Sequence, residues 1–195
     1  RAYVAEFERE NQGARTSRDT EGRAFYVGPL ARLHLNREFL NSAGRLALQK
    51  LPVDTGTRNP YLSVRARVVE LVHGLSELIL LLHDFQPEPE PVVPPRRYGF
   101  GASLTEAPRG TLYHAYAVGE DGTITRADIV TPTAHNLAAM EEDIHRLLLK
   151  LDPPPPTGEP DPSAGVRLEA EKLLRTYDPC FSCATHFVTL TYRYV

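Results

Sequence analysis

The chain has 195 residues, 42% of them hydrophobic, and a formal charge of -3 at pH 7. That length buries a substantial core and ordinarily makes one domain, while the acidic balance, with no basic cluster longer than a pair such as Arg96-Arg97, argues against a nucleic-acid partner. The greasiest run, Leu75 to Leu82, is far shorter than the roughly 20 residues a membrane span needs, and the charged opening Arg1 to Glu10 lacks a signal peptide's apolar stretch, so a soluble cytoplasmic protein is expected.

In chain order, the first predicted helix covers Phe39 to Lys50, capped near Asn36 and stopped by Leu51-Pro52. From Asn59 to Phe85, apolar residues recur at helical spacing, including Val64, Val68, Leu71, Leu75, Leu78 and Leu82, with Pro60 suited to the first turn. This predicts a long, deeply packed helix. Gln86 to Pro95 has proline at nearly every second place, so 86–97 should be an extended surface segment. Gly110 to Val118 and Thr123 to Val130 alternate like strands about Gly119-Glu120-Asp121-Gly122, which is hairpin chemistry. Met140 to Leu151 reads as an amphipathic helix, the Pro-rich run 152–164 as a surface linker, and Gly165 to Tyr177 as a last helix. The expected fold is mainly α with a small antiparallel β-hairpin region, one unit over 1–195.

That last helix delivers the chain to Asp178-Pro179-Cys180-Phe181-Ser182-Cys183-Ala184-Thr185-His186, which contains its only two cysteines. Thiolates suit zinc, nickel, copper(I) or iron clusters far better than magnesium or calcium. Haem attachment needs His directly after the second Cys, and a closed zinc site needs a fourth ligand. A thioredoxin-type pair opens a helix, whereas this one follows a helix. Spacing alone therefore leaves a metal site and a redox or structural Cys pair both open.

The nonapeptide resembles the D-P-C-x-x-C-x-x-H signature of the large subunit of nickel-iron hydrogenases. Thr105-Glu106-Ala107-Pro108-Arg109-Gly110 is similar to that family's E-A-P-R-G segment, and Tyr26-Val27-Gly28-Pro29-Leu30-Ala31-Arg32-Leu33-His34-Leu35-Asn36 resembles another of its stretches. The three matches run in the family's order and look most like its soluble cytoplasmic branch, NAD(P)-linked or F420-linked. The implied activity is reversible oxidation of H2 at a nickel-iron centre whose iron also carries cyanide and carbon monoxide. Splitting an apolar, weakly acidic molecule into hydride and proton calls for a soft metal and a neighbouring base, and thiolates serve both needs.

The resemblance implies that Cys180 is a terminal nickel ligand and that Cys183 bridges nickel and iron. It places Arg109, on the Pro108-Arg109-Gly110 turn, over the open metal face, where a guanidinium suits a cyanide nitrogen; the bland reading is a surface salt bridge. Asp178 would orient Arg109, the bland reading being a helix-end residue, and Glu106 would brace the same loop. His186 and the Ile129 carbonyl would hold a magnesium ion, and Thr133 would donate its hydroxyl to an iron-bound cyanide. The other six histidines are expected to be structural.

The family's remaining two nickel thiolates come from an R-x-C-G-x-C motif, yet no Cys precedes Cys180. The chain is therefore expected to be the C-terminal part of a longer large subunit, inactive alone. The alternatives are a non-catalytic hydrogenase-like subunit related to the complex I family, and a zinc-binding interaction module. Residues 187–195 alternate like a strand, and the resemblance implies that a maturation protease removes them by cutting after His186. Two cysteines cannot also hold an iron-sulfur cluster, so a small iron-sulfur subunit is the implied partner, with a flavin-containing, NAD(P)-reducing module beyond it.

Overall fold

Helix starts in this chain are set by proline and by small polar caps. The computed structural model, which describes residues 4–8, 15–54, 56–89, 98–151 and 164–180, places Pro29 at the start of α1 (Pro29–Asn36), where its missing N–H is no loss. Asn41 caps α2 (Ser42–Lys50), its side chain accepting from the Gly44 N–H at 2.8 Å. The expected helix start near Phe39 under an Asn36 cap is thus corrected: Asn36 ends α1, and Arg37–Phe39 form a 3-10 turn. Asn41 prevails because its amide is also tied to α3 (Leu62–Asp84), donating to the His73 carbonyl at 3.1 Å and to Glu77 at 2.7 Å.

The start of α3 packs against α1 and α2 around Leu30, Leu33, Leu40, Ala66 and Val69. Its remainder does not follow the expectation of a deeply packed helix, since Leu71, Leu75, Ile79, Leu81 and Leu82 are all exposed. The reason is reach. A 23-residue helix is about 35 Å long, while α1 and α2 have 8 and 9 residues and cover only part of it. Its second half carries five consecutive apolar residues, Leu78 to Leu82, which leave that end apolar on every side.

The sheet runs β3 (Gly99–Ala107), β4 (Gly110–Val118), β5 (Ile124–Val130), antiparallel in that order, and includes the expected hairpin about Gly119–Gly122. Strand β3 was not expected. Eight of its nine residues are exposed, so no buried face imposes an alternating pattern. A second antiparallel pair, β1 (Val4–Glu8) and β2 (Arg15–Asp19), was also unforeseen. The helix expected from Met140 begins earlier, as α4 (Pro132–Leu148), with Thr131 as its cap. Helix α5 (Ala164–Tyr177) lies where predicted and shares with α4 a second core of Ala139, Met140, Leu173 and Tyr177. The mainly helical expectation holds roughly, five α-helices standing beside these small sheets among the described residues. Gln86 to Pro89 is exposed and irregular, whereas 90–97, the run 152–163 and the tail 187–195 lie outside the described residues.

The two cores meet where the segment before α1 crosses the β3–β4 tip. Gly28 has φ of 110°, and a Cβ there would lie 2.6 Å from the Arg109 carbonyl oxygen; Gly110 has φ of 135°, and its Cβ would lie 2.5 Å from Val27 Cγ2. Only glycine permits this approach. Gly28→Ala should therefore cost about 2–4 kcal/mol in urea unfolding, while Gly122→Ala, at φ of 83° with nothing within 4 Å, should cost only about 1 kcal/mol. Equal losses at the two positions would show that the crossing is not tight.

Candidate metal centre

Pro108 and Arg109 form the two-residue connection between Ala107 and Gly110, which pair across β3 and β4. Proline fixes its own φ near about -65°, which rules out the primed turns usual in such hairpins, and the positive φ of Gly110 restores the strand direction. The tip is held from below by Arg32 of α1. Its guanidinium donates to the Ala107 and Pro108 carbonyls, each at 2.9 Å, grips Glu70 of α3 with two bonds of 2.7 and 2.8 Å, and pairs with Glu106 at 2.7 Å. Burial works against the Arg32 charge, but the bonds to Glu70 and Glu106 outweigh it and its pKa is raised. Glu106 also accepts from Thr111 Oγ1 at 2.5 Å, so it does brace the loop, through Arg32.

Helix α5 ends at Tyr177, and Asp178 closes it in the left-handed conformation, φ 52°, its N–H donating to the Arg175 carbonyl at 3.1 Å. Arg109 Nε donates to the Asp178 carbonyl at 2.7 Å and lies 3.3 Å from Asp178 Oδ2; Nη2 reaches Oδ1 at 3.4 Å. Asp178 is thus both the helix-end residue and the partner of Arg109. Two residues on, the N–H of half-buried Cys180 donates to Oγ1 of buried Thr133 at 3.2 Å. Thr133 sits in the first turn of α4, the helix end that favours negative charge.

Thr133, Asn136 and Asp143 lie on one face of α4 and are all buried. The Asn136 amide takes both backbone groups of Val27, accepting its N–H at 2.9 Å and donating to its carbonyl at 3.1 Å, as a strand neighbour would. Asp143 accepts from Tyr177 Oη at 2.6 Å and from Tyr26 Oη, and its other oxygen takes Arg146 Nη1 at 2.9 Å. Burial first, and then the bond to Asp143, push the pKa of both phenols above the usual tyrosine value, so both stay protonated.

Five of the residues singled out from the sequence, Pro108, Arg109, Thr133, Asp178 and Cys180, are therefore brought together from three separate segments. Ile129 lies apart from these contacts, in β5 opposite His114. Cys183 and His186 lie outside the described residues, and no group of three His, Cys, Asp or Glu that could hold a metal occurs among the described ones. The residues fit a thiolate-bound metal to the extent of one donor: the Cys180 segment is anchored through its own backbone N–H and an arginine is secured two residues before it. Sequence reasoning missed Arg32, Asn136, Asp143 and the tyrosine pair. Arg32 and Tyr26 stood inside a stretch already singled out, which was the available signal.

Comparison with known proteins agrees with this geometry. Residues 71–186 match the family model described as nickel-dependent hydrogenase. The chain is 36% identical to sulfhydrogenase 1 subunit alpha of Pyrococcus furiosus over 97% of its own length and 43% of that protein. It is 32% identical to the NAD-reducing hydrogenase HoxS subunit beta of Cupriavidus necator, over 82% of this chain and 33% of the relative. Its fold superposes with a TM-score of 0.72 on a crystal structure of an NAD+-reducing [NiFe]-hydrogenase in the H2-reduced state, at 26% identity, covering 94% of this chain and 42% of that one. The chain belongs to the nickel-dependent hydrogenase family, and it spans less than half the length of these relatives.

His135, buried beside Phe25, donates Nδ1–H to the Thr111 carbonyl at 3.0 Å. Burial lowers its pKa below 6.5, more than the Thr111 bond and the Glu106 charge raise it. The unfolded chain then takes up this proton first, so the stabilisation is fully present above pH 6.5 and is lost as pH falls through the lower folded value. His135→Gln should flatten the pH dependence of the urea midpoint below about pH 6.5; an unchanged slope would contradict it.

Proposed function

We propose that the chain is part of the catalytic large subunit of a nickel-iron hydrogenase, which interconverts H2 with two protons and two electrons. The observation that carries this is the convergence of Arg109, Asp178, Cys180 and Thr133 on one spot, within a chain of this family. Cys180 and Cys183 would be the thiolates that this segment offers to the nickel-iron centre, and two further thiolates would come from outside these 195 residues. When bound, the nickel-iron centre, with cyanide and carbon monoxide on its iron, supplies the soft site at which H2 is polarised.

The chain's own residues do the rest. Arg109, fixed through Nε to the Asp178 carbonyl and through Nη2 to its carboxylate, would turn its other N–H groups to the open metal face, where a guanidinium suits a cyanide nitrogen and a positive charge would help polarise H2. Asp178 keeps that guanidinium oriented. The Thr133 hydroxyl, while accepting from the Cys180 N–H, still has its own proton, which it would donate to an iron-bound cyanide. His186 and the Ile129 carbonyl would hold a magnesium ion, and cleavage after His186 would remove 187–195. Electrons leave to a small iron-sulfur subunit and onward to a flavin and NAD(P) module, a partnership supported by the NAD-reducing relative. A soluble, cytoplasmic assembly is supported by the NAD-reducing relative, and no helix of the described residues is long and apolar enough to cross a membrane.

Cys180→Ser or Cys183→Ser in the complete enzyme should abolish nickel retention and H2 uptake, and activity kept by either variant would refute the ligand assignment. Arg109→Lys should retain nickel but lose about 10- to 100-fold in H2 uptake, because an ammonium cannot hold Asp178 and face the metal with one planar fork. Wild-type rates in Arg109→Lys would remove Arg109 from the reaction.

A further inference from the structure

We propose that Asp143 is a positioning residue for the metal centre, acting through the Tyr177 and Tyr26 hydroxyls to aim the Cys180 segment at the Arg109 tip. The inference rests on the nickel-centre reading above. Tyr177 is the last residue of α5, directly before Asp178, so its ring fixes where the chain leaves the helix. Its hydroxyl lies 2.6 Å from Asp143 Oδ2 and 2.8 Å from the Tyr26 hydroxyl, which also bonds Asp143 Oδ2. The two rings stack with centroids 5.6 Å apart and planes 14° from parallel. Tyr26 stands two residues before Gly28, which lies against the Arg109 carbonyl. Asp143 shares a helix with Thr133, which accepts from the Cys180 N–H.

A single carboxylate oxygen thus ties together the three segments that carry Arg109's support, Asp178 with Cys180, and Thr133. Arg109, Tyr26, Tyr177 and Asn136 also line one narrow cavity, so displacement of the phenols is passed to the wall beside Arg109. A carboxylate buried to this degree, 9% exposed, is an expensive choice for stability alone, because an apolar trio of the same size would pack without desolvating a charge. What it provides instead is direction: phenols with protonated hydroxyls and one acceptor admit a narrow set of ring positions.

The test uses the assembled, metal-loaded protein with Tyr177→Phe, Tyr26→Phe and Asp143→Asn. The infrared bands of the iron-bound cyanides, nickel content, thermal midpoint and H2-uptake kinetics are measured together. Tyr177→Phe, which removes one oxygen, should shift the cyanide bands and lower kcat about 10-fold at unchanged KM, with Tyr26→Phe shifting the same bands less. Loss of nickel from folded Tyr177→Phe supports the proposal equally. A lowered thermal midpoint with wild-type bands, nickel and kcat in both phenylalanine variants overturns it, whatever Asp143→Asn does. Wild-type protein without nickel or cyanide bands overturns the nickel reading itself, and this is seen before any variant is made.

Discussion

The arrangement of the site depends on a polar stripe buried along α4. Burying Thr133, Asn136 and Asp143 on one helix face is unfavourable unless every group finds a partner, and the partners they find are the segment before α1, the last residue of α5 and the segment just after it. Thr133 takes the Cys180 N–H, Asn136 takes both backbone groups of Val27, and Asp143 takes the hydroxyls of Tyr26 and Tyr177. The need to satisfy a helix's buried polar groups thus becomes the means of fixing loops that a hydrophobic core would leave free to slide. Apolar contacts lack the direction to set a cysteine and an arginine in register.

Beneath this stripe, two further constraints bring Arg109 to the same place. The glycine crossing lets the segment before α1 lie directly on the backbone of the β3–β4 tip. Arg32 then joins that tip to α1 and α3, using its five donors on two carboxylates and two carbonyls. Half-buried and doubly paired, this guanidinium differs from an exposed surface bridge, since its partners are held by separate elements and its geometry is planar and bidentate. Arg109 in turn is free of tip-holding duties and spends its bonds on Asp178.

The sequence was most legible where chemistry and periodicity coincided. The Pro108-Arg109-Gly110 turn, α5 and the β4–β5 hairpin stand as read, and the family that the Cys180 signature resembles is the one the chain belongs to. The first turns of α4 were missed for the reason that makes them useful: Thr133 and Asn136 interrupt the apolar pattern by which a helix is recognised. Strand β3 was missed because an exposed strand need not alternate. The burial expected of α3 failed because periodicity reports which face is apolar, and says nothing about how much protein lies against it. Arg32 and Asp143 were not anticipated because their partners stand 38 to 76 and 34 to 117 residues away in the chain, beyond any local pattern.

The account's central claim, that the Cys180 segment is one arm of a thiolate-bound nickel site, is tested most directly by X-ray absorption at the nickel edge. The complete protein and its Cys180→Ser variant, reconstituted with nickel, would be compared. The account predicts a sulfur-dominated shell in the wild type and a variant that retains no nickel and so gives no edge. A shell of nitrogen and oxygen alone, or one unchanged by the substitution, would contradict it.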